Sequence, residues 1–201
     1  NWPAGVAVLT QGSRTLWSEM TEAWRNEQHR KELKDNFPLI LLFLGLAGVF
    51  VLRGPGFIER QARRLLSSGR TGGRDIVAAV VSFGQVVVPV IGVVFLVAAI
   101  EATGMTGRRT TALLESLPVA AFAFFVMRWI GTWILRQNGP ASSISDRPAE
   151  AQFHAQMLGL AMALETLRQA FTTEVRPPLS MAAQSVWAAP LVCFAAVFLF
   201  R

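Results

Sequence analysis

Residues 76–100 run without a single charged side chain. At the helical rise, about 25 residues reach roughly 37 Å, enough to cross a hydrocarbon core of about 30 Å with some tilt. Apolar residues fall on every side of this predicted helix, which fits lipid better than the one-sided core of a water-soluble domain. Arg70 and Arg74 stand before the run, and Glu101, Arg108 and Arg109 follow it.

The same pattern recurs. Residues 37–52 predict a first span, begun by Asn36 and Pro38 and ended by Arg53-Gly54-Pro55-Gly56. Residues 57–69 alternate Phe57, Ile58, Ala62, Leu65 and Leu66 with Arg60, Arg63 and Arg64, which predicts a basic amphipathic helix in the headgroup layer. Ser67, Ser68, Gly69, Gly72 and Gly73 form a turn before the second span, 76–100. Pro89 interrupts that span and is the hinge candidate, read either as a kink used in packing or as a moving joint. Gly84 and Gly92, with Ser82 and Gln85, offer it a small and polar surface for a neighbouring helix.

A loop over 101–116 precedes a third span, 117–135, with Pro118 in its first turn and Arg128, Trp129 and Trp133 near its end. Residues 136–150 read as a linker. Residues 151–171 form a helix that either spans or lies on the membrane, since His154, Gln156, Glu165, Arg168 and Gln169 dilute its apolar surface. Ala155, Gly159 and Ala163 continue a small-residue stripe from Ala151 that permits close helix approach. Pro177-Pro178 separates it from a fifth span, 179–200. Residues 1–36 are polar, with Leu16, Met20 and Trp24 at helical spacing. The expected fold is an all-α polytopic transmembrane bundle of about five spans.

Composition agrees with lipid as the solvent. Of the 201 residues 52% are hydrophobic and only 16% charged. The net charge of +6 comes from cations clustered beside apolar runs, so membrane flanks explain it better than nucleic acid. Cys193, the only cysteine, lies in an apolar run and has no internal partner. The start at Asn1 and the stop at Arg201, directly after an apolar stretch, are what a piece of a longer polypeptide would show.

Orientation follows from cations. Arg53, Arg60, Arg63, Arg64, Arg70 and Arg74 fill the loop between the first two spans, against Arg108 and Arg109 in the next. The positive-inside rule places residues 53–75 in the cytoplasm and the amino terminus in the periplasm, although Arg30, Lys31 and Lys34 pull the other way.

No catalytic or cofactor-binding pattern is present. His29 and His154 are far apart and match no metal-ligand spacing, and no phosphate loop, dinucleotide fingerprint or nucleophile elbow occurs. An enzyme, a cofactor and a metal are therefore not expected. The intramembrane charges Arg128 and Glu165 are the remaining candidates, either paired with one another or with Arg128 reaching to the headgroups. Arg60, Arg63 and Arg64 are expected to contact lipid headgroups.

The run from Pro38 through Arg53, followed by Gly54-Pro55-Gly56-Phe57-Ile58-Glu59-Arg60, resembles the amino-proximal membrane region of large bacterial mechanosensitive channels of the small-conductance type. The resemblance implies a homo-oligomer in the bacterial inner membrane, with this region as a tension-collecting scaffold. The family's glycine- and alanine-rich pore helix and its β domain have no match in these residues, so no gate residue is assigned. The other reading is a non-catalytic structural or assembly subunit of a larger membrane complex, and a secondary transporter ranks behind both for want of inverted repeats.

Overall fold

The computed structural model describes residues 25–67, 74–104, 106–134, 147–173 and 181–199, together with a few isolated positions before residue 25. The periodicity expected over Leu16, Met20 and Trp24, the glycine turn at 68–73, most of the 136–150 linker and Pro177-Pro178 lie outside the described residues. The described elements are helical, with no strand among them.

Helix α1 (Glu27–Asp35) is capped by Asn26, whose side-chain oxygen accepts from the Gln28 amide at 3.0 Å. Glu27 in its first turn and Lys34 in its last complement the helix dipole. The chain passes through Asn36 into α2 (Phe37–Gly48), where Pro38 sits in the first turn and withholds an N–H that would have no partner there.

The expected helix end at Arg53-Gly54-Pro55-Gly56 does not occur. A π turn, Val49–Arg53, links α2 to α3 (Gly54–Ser67), and one candidate span runs unbroken over Phe37–Ala62. In α register the Pro55 ring would press on the Val51 carbonyl and leave it without a donor. The π turn relieves this by widening the helix, and the Gly54 amide bonds back to the Val49 carbonyl five residues earlier. The basic amphipathic segment is therefore the continuation of the first span rather than a separate surface helix.

Helix α4 (Arg74–Glu101) passes through Pro89, whose ring is fully buried. Helix α5 (Arg108–Ile134) begins well before the expected span and places Pro118 in its interior. Its polar beginning resembles a loop in sequence, but the hydroxyls are satisfied within the helix. Thr111 Oγ1 donates to the Gly107 carbonyl at 3.0 Å and Ser116 Oγ to the Leu113 carbonyl at 2.7 Å. Helices α6 (Pro148–Thr173) and α7 (Met181–Leu199) complete the described chain.

Three helices are long and apolar enough to cross a membrane: Phe37–Ala62, Ala79–Glu101 and Thr110–Thr132. Of the five expected spans, the fourth has the length in α6 but carries more polar residues, and the fifth is apolar over the shorter Gln184–Leu199. The protein is a multi-pass membrane protein.

Among the described residues, extensive helix packing joins only neighbours along the chain: α2–α3 with α4, α4 with α5, α5 with α6, and α6 with α7. Each pair is antiparallel. Gly92 faces Val51 while Gly84 faces Ile58, Trp129 meets Ser82, Gly159 meets Phe124 while Gly131 meets Ala155, and Phe171 meets Trp187 while His154 meets Phe198. The bundle is thus an up-and-down row. Leu39, Leu41, Leu42 and Leu44 on α2, and Val80, Val87, Ile91 and Val94 on α4, are exposed from it. In water such a surface would drive aggregation, whereas in a bilayer it is the ordinary lipid-facing side.

Candidate functional site

Two places along the row combine charge with an apolar setting. On α6, Glu165 receives a fork-shaped pair from Arg168, with Nε donating to Oε2 at 2.7 Å and Nη2 to Oε1 at 2.6 Å, and Gln169 Nε2 adds a third bond at 2.9 Å. The geometry comes from the i, i+3 and i, i+4 spacing, which stacks these side chains on one helix face. The Arg168 side chain is 13% exposed and that of Glu165 34%. Arg168 lines a groove of about 360 Å³ between α5, α6 and α7, together with Leu113, Leu164, Leu167, Trp187 and Leu191.

Of the two alternatives for Arg128, pairing with Glu165 or reaching the headgroups, the first is not seen: Glu165 is bonded by Arg168. Gly159 sits against Phe124 and Met127, so Arg128 is level with the part of α6 just before Gly159, roughly 10 Å along the helix from Glu165. Glu165 has its partner one turn away on its own helix. Arg128 is exposed, four residues before the end of the Thr110–Thr132 segment. Its guanidinium is about 6 Å of helix from that end, within snorkelling reach of headgroups.

The second place is the π turn. Arg53 is exposed on it, and with Val49, Phe50, Gly54, Phe57 and Val88 it lines an apolar groove of about 280 Å³. Further along α3, Arg60 and Arg64 are exposed, whereas the Arg63 side chain lies outside the described residues. Four of the described arginines, Arg53, Arg60, Arg64 and Arg128, gather toward one end of the row. Gly84 faces Ile58, and Ser82, two residues before Gly84, accepts from Trp129.

Close backbone approach holds the helices that carry these charges. A Cβ on Gly92 would come within 2.7 Å of Val51 Cγ2 and 3.1 Å of the Val51 amide nitrogen, and one on Gly54 would run into Val88. Ala155 and Gly159 are buried against α5, where a Cβ on Gly159 would lie 2.8 Å from Met127 Cβ. Ala163, the third member of that stripe, is half-buried.

Trp129, beside Arg128, is bonded across to α4. Its Nε1 donates at 2.9 Å to the Ser82 hydroxyl, which is 1% exposed and itself donates to the Ala79 carbonyl at 2.8 Å. Phe83 meets the indole edge-on with centroids 5.3 Å apart. The Trp133 side chain lies outside the described residues.

Compared with protein-family models, with curated proteins and with solved structures, the chain matches none. Among the described residues no group of His, Cys, Asp or Glu side chains gathers where it could hold a metal ion. The chemistry on offer is electrostatic and lipid-directed: a basic end, an internally compensated Glu–Arg pair, and two apolar grooves.

Sequence reading missed three of these features. The Glu165–Arg168 pair was legible as an i, i+3 spacing of opposite charges within an apolar run. The Ser82–Trp129 bond joins residues far apart in the chain, and no local pattern announces it. The π turn is foreshadowed by Gly54-Pro55-Gly56, which more often ends a helix than widens one.

Proposed function

We propose that this chain is the membrane-sensing scaffold region of a mechanosensitive ion channel in the bacterial inner membrane, responding to bilayer tension. The observation that carries the reading is the row itself. Helices packed side by side, with apolar residues exposed from them, present far more perimeter to lipid than a closed bundle of the same mass. A row that tilts or splays as the bilayer thins changes its in-plane area, and tension acts on that area difference between closed and open states. Among the described residues the row encloses no pore, and conduction is assigned to a segment outside them in a homo-oligomer.

The basic end supports an orientation. With Arg53, Arg60, Arg64 and Arg128 toward one side, the positive-inside rule makes that side cytoplasmic and puts α1 in the periplasm. The arginines of α3 couple to anionic headgroups there. Patch-clamp recording of the complete protein tests this directly. Neutralising Arg60, Arg63 and Arg64 together is expected to raise the tension needed for half-opening, and an unchanged threshold sinks the coupling. A complete protein that passes no current under tension favours the second reading, an assembly subunit, which the glycine-mediated contacts between its helices would serve equally well.

A further inference from the structure

The depth of Arg53 can be derived from the fold. The Asn36 side-chain amide donates to the Ala102 carbonyl at 3.1 Å, which ties the start of α2 to the α4–α5 turn. Lys34 and Asp35 beside it, and Glu101 across from it, are exposed and mark this level as one edge of the hydrocarbon. From Asn36 to Arg53 the helix climbs about 25 Å, and the hydrocarbon core is about 30 Å thick. Arg53 therefore enters the chain roughly 5 Å inside the opposite edge, where a guanidinium must find an anion or reach water. Among the described residues it forms no ion pair.

The groove beside Arg53 exists for a structural reason. The π turn widens the helix, and Gly54, lacking a Cβ, lets its backbone settle on Val88. Val49, Phe50, Phe57 and Val88 then offer an apolar trough in which Arg53 is the one cation among the described residues. Phe57 lies toward the Ala62 end, the edge nearer Arg53, while Val49 and Phe50 lie deeper.

We propose that this trough is a binding site for one glycerophospholipid. Arg53 takes the phosphate in a charge-assisted contact, and one acyl chain lies along Phe57, Val88, Phe50 and Val49. The occupant is a lipid because the trough lies inside the hydrocarbon boundary, where a phosphate arrives only attached to acyl chains. Guanidinium suits this role through its planar donors and weak hydration. The proposal rests on the multi-pass placement and not on tension sensing, so a channel without this site and a site without a channel are both distinguishable results.

The test uses the full chain in vesicles of equal parts phosphatidylcholine and phosphatidylglycerol, with a trace of phosphatidylglycerol carrying a photoreactive diazirine on one acyl chain. Cross-linked peptides are mapped by mass spectrometry. Labelling is expected to concentrate on the segment holding Val49, Phe50 and Phe57, and to fall about tenfold in Arg53→Gln, as loss of one charge-assisted contact predicts. Val49→Trp, which keeps Arg53 but fills the trough, is expected to lower it as well. A diazirine-bearing diacylglycerol with the same chains is expected to label weakly and equally in wild type and Arg53→Gln. The proposal is overturned if both probes label alike, if neither variant lowers labelling, if cross-links spread evenly over Leu39, Leu41 and Leu42, or if inorganic phosphate competes the signal away.

Discussion

The contact of α4 with the π turn and α3, and the contact of α6 with α7, join antiparallel helices by different means. At the first, side chains are removed: Gly54, Gly84 and Gly92 bring two backbones within reach of each other's side-chain stems. At the second, large rings fill the space. Phe171 stacks on Trp187 with centroids 6.0 Å apart, Phe153 meets Phe198 edge-on at 5.8 Å, and His154 Nδ1 lies 2.9 Å from the Phe198 carbonyl. A carbonyl only accepts, so Nδ1 is the protonated nitrogen. The glycine contact leaves a groove of about 280 Å³ beside Arg53, and the ring contact leaves one of about 360 Å³ beside Arg168. Between lipid-solvated helices, where burial of apolar area supplies little drive, van der Waals fit and a few hydrogen bonds must decide association. The first contact depends on fit and the second on adaptable rings, so they should fail differently.

Gly92→Leu is expected to have the largest effect. Its side chain has nowhere to go against Val51 and Phe50, and overpacking of this kind costs about 3 kcal/mol or more. Steric-trapping or denaturant measurements in bicelles should show it, while Trp187→Leu on the other side should cost about half as much. Equal losses would erase the contrast. Next comes Glu165→Gln, which leaves the Arg168 charge without its carboxylate and should cost about 2 kcal/mol. The double variant Glu165→Leu with Arg168→Met removes both charges and should restore most of that loss. Trp129→Phe should cost only about 1 kcal/mol, because Ser82 keeps its own bond to the Ala79 carbonyl. Arg128→Gln should change stability by less than about 0.5 kcal/mol, as expected for an exposed cation reaching headgroups.

Much of the architecture was legible because lipid imposes simple rules. The uncharged run at 76–100 reads as a membrane helix from length alone, and α4 occupies it. Helix ends were harder. Thr110, Thr111 and Glu115 look like loop residues, yet backbone-directed hydroxyl bonds hold the first of these turns in α5. Gly54-Pro55-Gly56 carries every mark of a helix stop, but packing of Gly54 on Val88 and the π turn keep α3 in line with α2. Of the candidate charges, Glu165 was found by its rarity within an apolar segment. The sequence left Arg128 either to pair with Glu165 or to reach the headgroups, because depth in the membrane says nothing about which of two arginines shares a helix face with Glu165.

The central claim is that the helices form an open row, with α2 and α7 at opposite edges. Pulsed electron–electron spin resonance in nanodiscs measures this directly, with labels at Leu42→Cys and Val192→Cys in a Cys193→Ala background. Neighbouring helices lie 8–10 Å apart and four steps separate α2 from α7 along the row, so the account predicts a mean separation beyond about 20 Å. A mean near 10 Å, the spacing of adjacent helices, would contradict it by closing the row into a compact bundle.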